Sequence, residues 1–207
     1  MSKPPLLYYI TDRTQFPGDE ASRQKQLLAK IAEAAGCGVD FVQLREKDLS
    51  TRELEKLAIE AVGVTREACS RTRLLINSRM DVAIAARADG VHLRSDDVSP
   101  EVARQLLPRP SIVAVSCHTV DEVAAAAAAD ADFVVFGPVF GKQDSPNVRA
   151  VGLDGLRAAC KIKVPVFALG GVTIGNAGAC LDAGAAGIAA IRLFQENDVS
   201  AVVRQLK

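Results

Sequence analysis

Short runs of β-branched and aliphatic residues recur along the chain. They fall at about 6–10 (LLYYI), 39–44 (VDFVQL), 73–77 (RLLIN), 89–93 (DGVHL), 111–115 (SIVAV), 132–136 (DFVVF), 164–169 (VPVFAL) and 186–190 (AGIAA). The runs are continuously apolar rather than alternating, the pattern of strands buried on both faces of a parallel sheet. Between them lie amphipathic or Ala-rich stretches that predict helices over 20–35, 50–69, 99–106, 119–129, 153–160 and 174–183, with a last one near 197–206. Two of these helices carry start signals. Ser50 precedes Glu53 by three, and Thr119 precedes Glu122 by three, the spacing of a capping box. The alanine run 124–129 reads as a strong helix former packed closely on a sheet.

One phrase returns wherever a helix hands over to a strand: Ala35-Gly36-Cys37-Gly38-Val39-Asp40, Ala88-Asp89-Gly90-Val91, Ala129-Asp130-Ala131-Asp132-Phe133 and Ala183-Gly184-Ala185-Ala186-Gly187-Ile188. A glycine or small residue is expected to close each helix where positive φ is needed. The reuse of one strand–helix unit over a chain of 207 residues predicts an α/β fold, a small (β/α)₈ barrel. The open doubly wound sheet is the alternative, but no Gly-rich turn follows the first strand to support its dinucleotide-binding form. No linker or composition break interrupts the pattern, so residues 1–207 are expected to form one domain.

Composition narrows the function. Lys plus Arg total 25 and so do Asp plus Glu, and this balance argues against a broad cationic nucleic-acid surface. Hydrophobic residues make up 49%, enough for a sizeable core, whereas aromatics are 4% and Trp is absent. The expected core is therefore built from Ala, Val, Leu and Ile. Cys37, Cys69, Cys117, Cys160 and Cys180 are widely spaced with no C-x-x-C pair, so reduced thiols are expected rather than a disulfide framework or a zinc site. The first residues hold too short an apolar run for a signal peptide, and no stretch is long and apolar enough to span a bilayer. A soluble, cytoplasmic protein without membrane partners is expected.

In a parallel barrel, chemistry sits at the C-terminal ends of the strands. The second strand runs into Gln43-Leu44-Arg45-Glu46-Lys47, and alternation points Gln43, Arg45 and Lys47 the same way. Two cations and an amide at a barrel mouth suit a phosphate or pyrophosphate. The alternative is a solvated loop in which Glu46 and Asp48 pair the cations. Gly170-Gly171 leaves backbone N–H groups uncovered beside the turn at Ile191-Arg192, the corner where barrels commonly hold a substrate phosphate. His118 falls between a strand end and a helix start, a position suited to proton transfer, whereas His92 lies within a strand and reads as structural. Cys117 and His118 should face opposite ways, which disfavours a Cys–His dyad. Asp96 and Asp97 could hold Mg²⁺ through oxygen or merely cap a loop.

Ile10-Thr11-Asp12, Gln43–Lys47, Asn77, Gly90-Val91-His92-Leu93, Ser116-Cys117-His118, Phe136-Gly137-Pro138-Val139-Phe140 and Gly170-Gly171-Val172-Thr173 together resemble the thiamine-phosphate synthase family, which includes the TenI-type thiazole tautomerases. The resemblance runs from about residue 6 to 194 and implies the same small barrel. In the synthases, a hydroxymethylpyrimidine pyrophosphate loses pyrophosphate, which Mg²⁺ bridges, and the nitrogen of a thiazole phosphate attacks the resulting cation. The resemblance places Gln43, Arg45, Lys47 and Asn77 on the pyrimidine and pyrophosphate side, and Asp97 as a Mg²⁺ ligand. Gly170, Gly171, Ile191 and Arg192 go to the thiazole phosphate, and Ser116, Gly137 and Lys142 join the substrate-binding set.

Several residues depart from the synthase pattern. Ser78 stands where the family has a second metal-binding Asp, and Arg94-Ser95 replaces Gly-Gln. Lys142-Gln143-Asp144-Ser145 replaces Thr-x-Thr-Lys, and Arg192 replaces a small serine. The losses fall on the pyrophosphate side, so the leading expectation is a TenI-like isomerase with His118 moving the proton and no cofactor. A divergent synthase requiring Mg²⁺ is the alternative, and a non-catalytic thiamine-phosphate-binding regulator is a third reading. The expected partner is a phosphorylated thiazole or thiamine phosphate, and Ala- and Leu-rich helix faces allow a homodimer.

Overall fold

The structure is a computed structural model that describes residues 4–68, 71–108, 110–141 and 149–207. The eight apolar runs form eight parallel strands: β1 (Leu6–Ile10), β2 (Phe41–Leu44), β3 (Arg73–Asn77), β4 (Gly90–Leu93), β5 (Ile112–Cys117), β6 (Phe133–Phe136), β7 (Val166–Leu169) and β8 (Gly187–Ala190). They are hydrogen-bonded in chain order, and β8 pairs back onto β1 with Tyr8 opposite Ala189. The barrel is closed, so the open-sheet alternative falls.

Helices α1 (Glu20–Gly36), α2 (Thr51–Ala68), α3 (Met80–Ala85), α4 (Pro100–Leu106), α5 (Val120–Ala128), α6 (Gly152–Ala159), α7 (Ile174–Asp182), α8 (Arg192–Gln195) and α9 (Val199–Leu206) follow the strands. The expected capping box at Thr119 and Glu122 is formed in full. At the head of α2, Ser50 N–H donates to Glu53 at 2.9 Å and Glu53 N–H returns to Ser50 Oγ at 3.4 Å. The short helices α3 and α8 were not expected. Arg79 at the start of α3 makes no side-chain cap, and Asp81 in the first turn is the one start signal the sequence offers there.

The repeated phrase has a physical purpose. Asp40, Asp89 and Asp132 sit at the entrances of β2, β4 and β6. Each gives its N–H to a carbonyl on the preceding strand and takes the N–H of that same residue on its carboxylate, the latter at 2.8, 2.8 and 2.7 Å for Leu7, Leu74 and Val113. The carboxylate thus satisfies a strand N–H at the bottom rim that would otherwise lack a partner. In the fourth copy Ala186 retains only the backbone half, donating to Val166. Glycine does not always supply the left-handed turn: Gly38 and Gly184 do, but Arg87 (φ 53) and Asp130 (φ 64) do so in the other two copies.

The expected aliphatic core is found in the layer between sheet and helices, where Leu7, Leu27, Ile31, Val42, Leu57, Ile76, Val113 and Ile188 are buried. Inside the barrel the expectation fails. Tyr8, Phe41, Phe133 and Phe167 meet there, with Phe133–Phe167 and Phe41–Phe133 centroids at 4.8 and 4.9 Å. A ring of eight strands leaves an interior wide enough that large side chains fill it best, so the few aromatics concentrate where the volume is greatest. This floor closes the lower barrel and leaves the polar cleft above it. No helix among the described residues is long and apolar enough to cross a membrane.

Candidate functional site

A cleft of about 1020 Å³ opens over the C-terminal ends of the strands. Gln43, Arg45, Lys47, Asn77, Ser116, His118, Gly170, Gly171, Ile191 and Arg192 all line it. Of the other expected residues, Gly137 lies behind His118 and Asp97 beneath the Arg94 loop, neither on the lining, and Lys142 falls outside the described residues.

The β2 rim is organised by alternation. Gln43, Arg45 and Lys47 face the cleft, while Glu46 and Asp48 turn outward to a residue the sequence reading passed over. Arg13 is buried and gives Nη1 to Glu46 at 3.2 Å and to Asp48 at 2.6 Å, with Nε on Glu20 at 2.7 Å. Glu46 also accepts from Thr11 Oγ1 at 2.6 Å, and that same hydroxyl takes the Arg45 N–H at 2.9 Å. Glu46 and Asp48 thus both pair with Arg13. Burial raises the Glu46 carboxyl above its ordinary range despite these donors, whereas Arg13 holds Asp48 below it.

The β7–β8 rim is built from backbone. Gly170 (φ 96) and Gly171 (φ 66) are both left-handed, and a Cβ on Gly170 would sit 2.5 Å from Pro138 Cβ. Asn176 Nδ2 donates to the Gly171 carbonyl at 3.0 Å while its Oδ1 takes the Thr173 N–H at 2.7 Å, fixing that peptide at the head of α7. Ile191 and the exposed Arg192 stand beside this turn.

At the centre, His92 is buried and reaches Tyr8 Oη through Nδ1 at 3.0 Å and Ser116 Oγ through Nε2 at 2.8 Å. Burial, reinforced by the nearby Arg45 cation, pulls its pKa down to about 3, so the ring is neutral. His118 is exposed, and its Nδ1 lies 2.6 Å from the Gly137 carbonyl. A carbonyl only accepts, so Nδ1 carries the proton and the neutral ring keeps a lone pair on Nε2. Cys117 faces the helix layer, and burial pushes its thiol up to about 12, in keeping with the expected absence of a Cys–His dyad.

No group of three or more metal-binding side chains occurs among the described residues. Asp97 Oδ2 accepts from Ser78 Oγ and the Arg94 N–H, both at 2.7 Å, while no hydrogen bond runs to Oδ1 from the described residues. Mg²⁺ is often held by one carboxylate together with substrate phosphate oxygens, and Asp97, just behind the cleft lining, is a carboxylate that could complete such a set for an ion that arrives with its anion.

A closed parallel barrel with a polar cleft over its strand ends is the architecture that barrel enzymes use. The family model described as thiamine monophosphate synthase matches residues 7–194, and the chain belongs to that family. A Geobacter sulfurreducens protein bearing the thiamine-phosphate synthase name is 46% identical over 190 residues, 89% of this chain and 84% of its own. Chloroflexus aurantiacus thiamine-phosphate synthase is 38% identical over 204 residues, 97% of this chain and 90% of its own. The solved thiamine phosphate pyrophosphorylase of Pyrococcus furiosus superposes with a TM-score of 0.82 at 32% identity, covering 97% of this chain and 93% of that one. These names favour the transferase over the isomerase that led the sequence reading.

Proposed function

We propose that the protein is a thiamine-phosphate synthase, joining a hydroxymethylpyrimidine pyrophosphate to a thiazole phosphate. The observation that carries this reading is one cleft with two separate anion-suited rims, cationic side chains on β2 and glycine backbone with Arg192 at β7–β8. An isomerase acting on a single phosphate ester needs only one of them. Arg45 and Lys47 offset charge on the departing pyrophosphate as its carbon–oxygen bond breaks with both electrons on oxygen. Gly170, Gly171 and Arg192 hold the second phosphate so that the thiazole nitrogen lone pair faces the vacated carbon and forms the new bond. Gln43 and Asn77 orient the pyrimidine side. Asp97 would hold Mg²⁺, which when bound lowers the charge the leaving group must carry.

The test is to supply both precursors with Mg²⁺ and follow products. Thiamine phosphate and pyrophosphate in equal amounts are expected; isomerisation of a thiazole carboxylate phosphate without coupling would replace this reading by the tautomerase one. That second reading is favoured by the bare Nε2 lone pair of His118, and His118→Asn would then abolish the isomerisation. Binding of thiamine phosphate with turnover of neither substrate would support a regulator instead.

A further inference from the structure

The chain has two histidines, and the neighbours of His92 restrict which of its ring nitrogens can carry the proton. Gln43 Nε2 lies 3.4 Å from Tyr8 Oη, and an amide nitrogen only donates, so the Tyr8 oxygen accepts there. The Tyr8 proton then goes to the remaining neighbour, His92 Nδ1 at 3.0 Å. The neutral imidazole must carry its own proton on Nε2, which is 2.8 Å from Ser116 Oγ. Ser116 accepts that proton, and its hydroxyl hydrogen has no further hydrogen-bond partner among the described residues. Ser116 lines the cleft.

We propose that His92 is a positioning residue: locked by Tyr8 in the Nε2–H form, it makes the Ser116 hydroxyl a one-way donor aimed at a ligand atom that bears a lone pair and no proton. The chain of donors runs Gln43, Tyr8, His92, Ser116, ligand. Were His92 in the other tautomer, Ser116 would spend its hydrogen on the imidazole and offer the cleft only lone pairs, which would repel an anionic oxygen. The device spans β1, β2, β4 and β5 and ties the floor of the barrel to its mouth. It deepens the phosphate-ligand reading of the cleft and rests on it for the identity of the acceptor, but the tautomer itself does not.

Two measurements test it on the intact protein. With only two histidines, ¹⁵N-imidazole NMR of the protein at pH 7 resolves both rings, and His118→Asn assigns them. Protonated Nε2 and bare Nδ1 are expected for His92, and protonated Nδ1 for His118; a His92 ring protonated on Nδ1 overturns the proposal whatever the protein catalyses. The second measurement is a cycle with inorganic pyrophosphate and Mg²⁺ as the binding probe and coupling rate as the kinetic one. Ser116→Ala and Tyr8→Phe should each cost roughly tenfold, and the pair little more than either alone, because both remove the same donor. Full multiplication of the two losses overturns the relay, since a merely structural role for Tyr8 would act independently of Ser116. If wild-type protein shows the expected tautomer and couples no substrates, the synthase reading fails while the relay stands on the pyrophosphate titration.

Discussion

The two rims of the cleft do similar work by different means. The β2 rim is a set of side chains: Arg45 and Lys47 line the cleft, and Arg13, buried beneath, pairs with Glu46 and Asp48 on the other side of the same segment. The β7–β8 rim is a backbone turn in which two left-handed glycines pack against Pro138 and Phe140 and Asn176 pins a carbonyl. A side-chain rim can lose one group and keep its shape. A backbone rim is part of the fold, and changing it disturbs the barrel.

The largest effect should come from breaking the backbone rim. Gly170→Ala places a methyl 2.5 Å from Pro138 Cβ and 2.6 Å from Pro138 Cα at a φ of 96. Both the clash and the left-handed backbone oppose it, and a loss of more than about 3 kcal/mol is expected in urea unfolding. A loss below about 1 kcal/mol would show that this turn is as replaceable as a surface loop.

The floor beneath both rims should yield to acid next. His92 has an ordinary pKa of 6.5 and a folded value of about 3, so folding favours its neutral form. That contribution is whole above pH 6.5 and drains away as pH falls towards 3, at about 1.4 kcal/mol per unit. Unfolding midpoints should therefore fall between pH 6.5 and 4.5 by an amount equivalent to ~3 kcal/mol, and His92→Gln should flatten that slope. An unchanged slope in the variant would mean that other groups set the acid limit.

On the side-chain rim, Arg45→Ala should leave the unfolding midpoint nearly in place. Its guanidinium is committed to no carboxylate among the described residues, so what it loses is a contact to the ligand. A drop of about a hundredfold in kcat/KM for coupling is expected, equal to about 2.7 kcal/mol. A large loss of stability instead would erase the contrast between the rims.

Much of this was legible in the chain. The eight strands were, because burial on both faces writes continuous apolar runs, and so was the cleft lining on β2, because a period of two fixes which side chains turn inward. The helices missed were those too short to show a period: α3 has six residues and no capping side chain, and α8 has four. Arg13 was missed because its role depends on contacts 33 and 35 residues away, and Asn176 because a helix cap gives no hint that its amide also reaches back to a glycine carbonyl. The aromatic floor escaped because composition records how many rings there are and not where the volume is. The order of the two enzyme readings was weighted by missing charges, whereas relatives spanning nearly the whole chain favour the synthase.

The smallest effect bears most directly on how far a side-chain rim can be rebuilt. Ser78 has φ 60, a conformation that Asp tolerates better than most residues, and its hydroxyl lies 2.7 Å from Asp97 Oδ2. Ser78→Asp would bring a second carboxylate against the first. Without a cation the pair repels, so the variant should be slightly less stable in chelator than the wild type. With Mg²⁺ the same repulsion becomes a second ligand, and the Mg²⁺ concentration for half-maximal pyrophosphate binding should fall roughly tenfold. Stability in chelator and affinity in Mg²⁺ must move in opposite directions if Asp97 is the ion's anchor. A variant that changes neither would place the metal elsewhere on this rim, and one that loses stability in both conditions would show Ser78 to be a structural cap on the Arg94 loop.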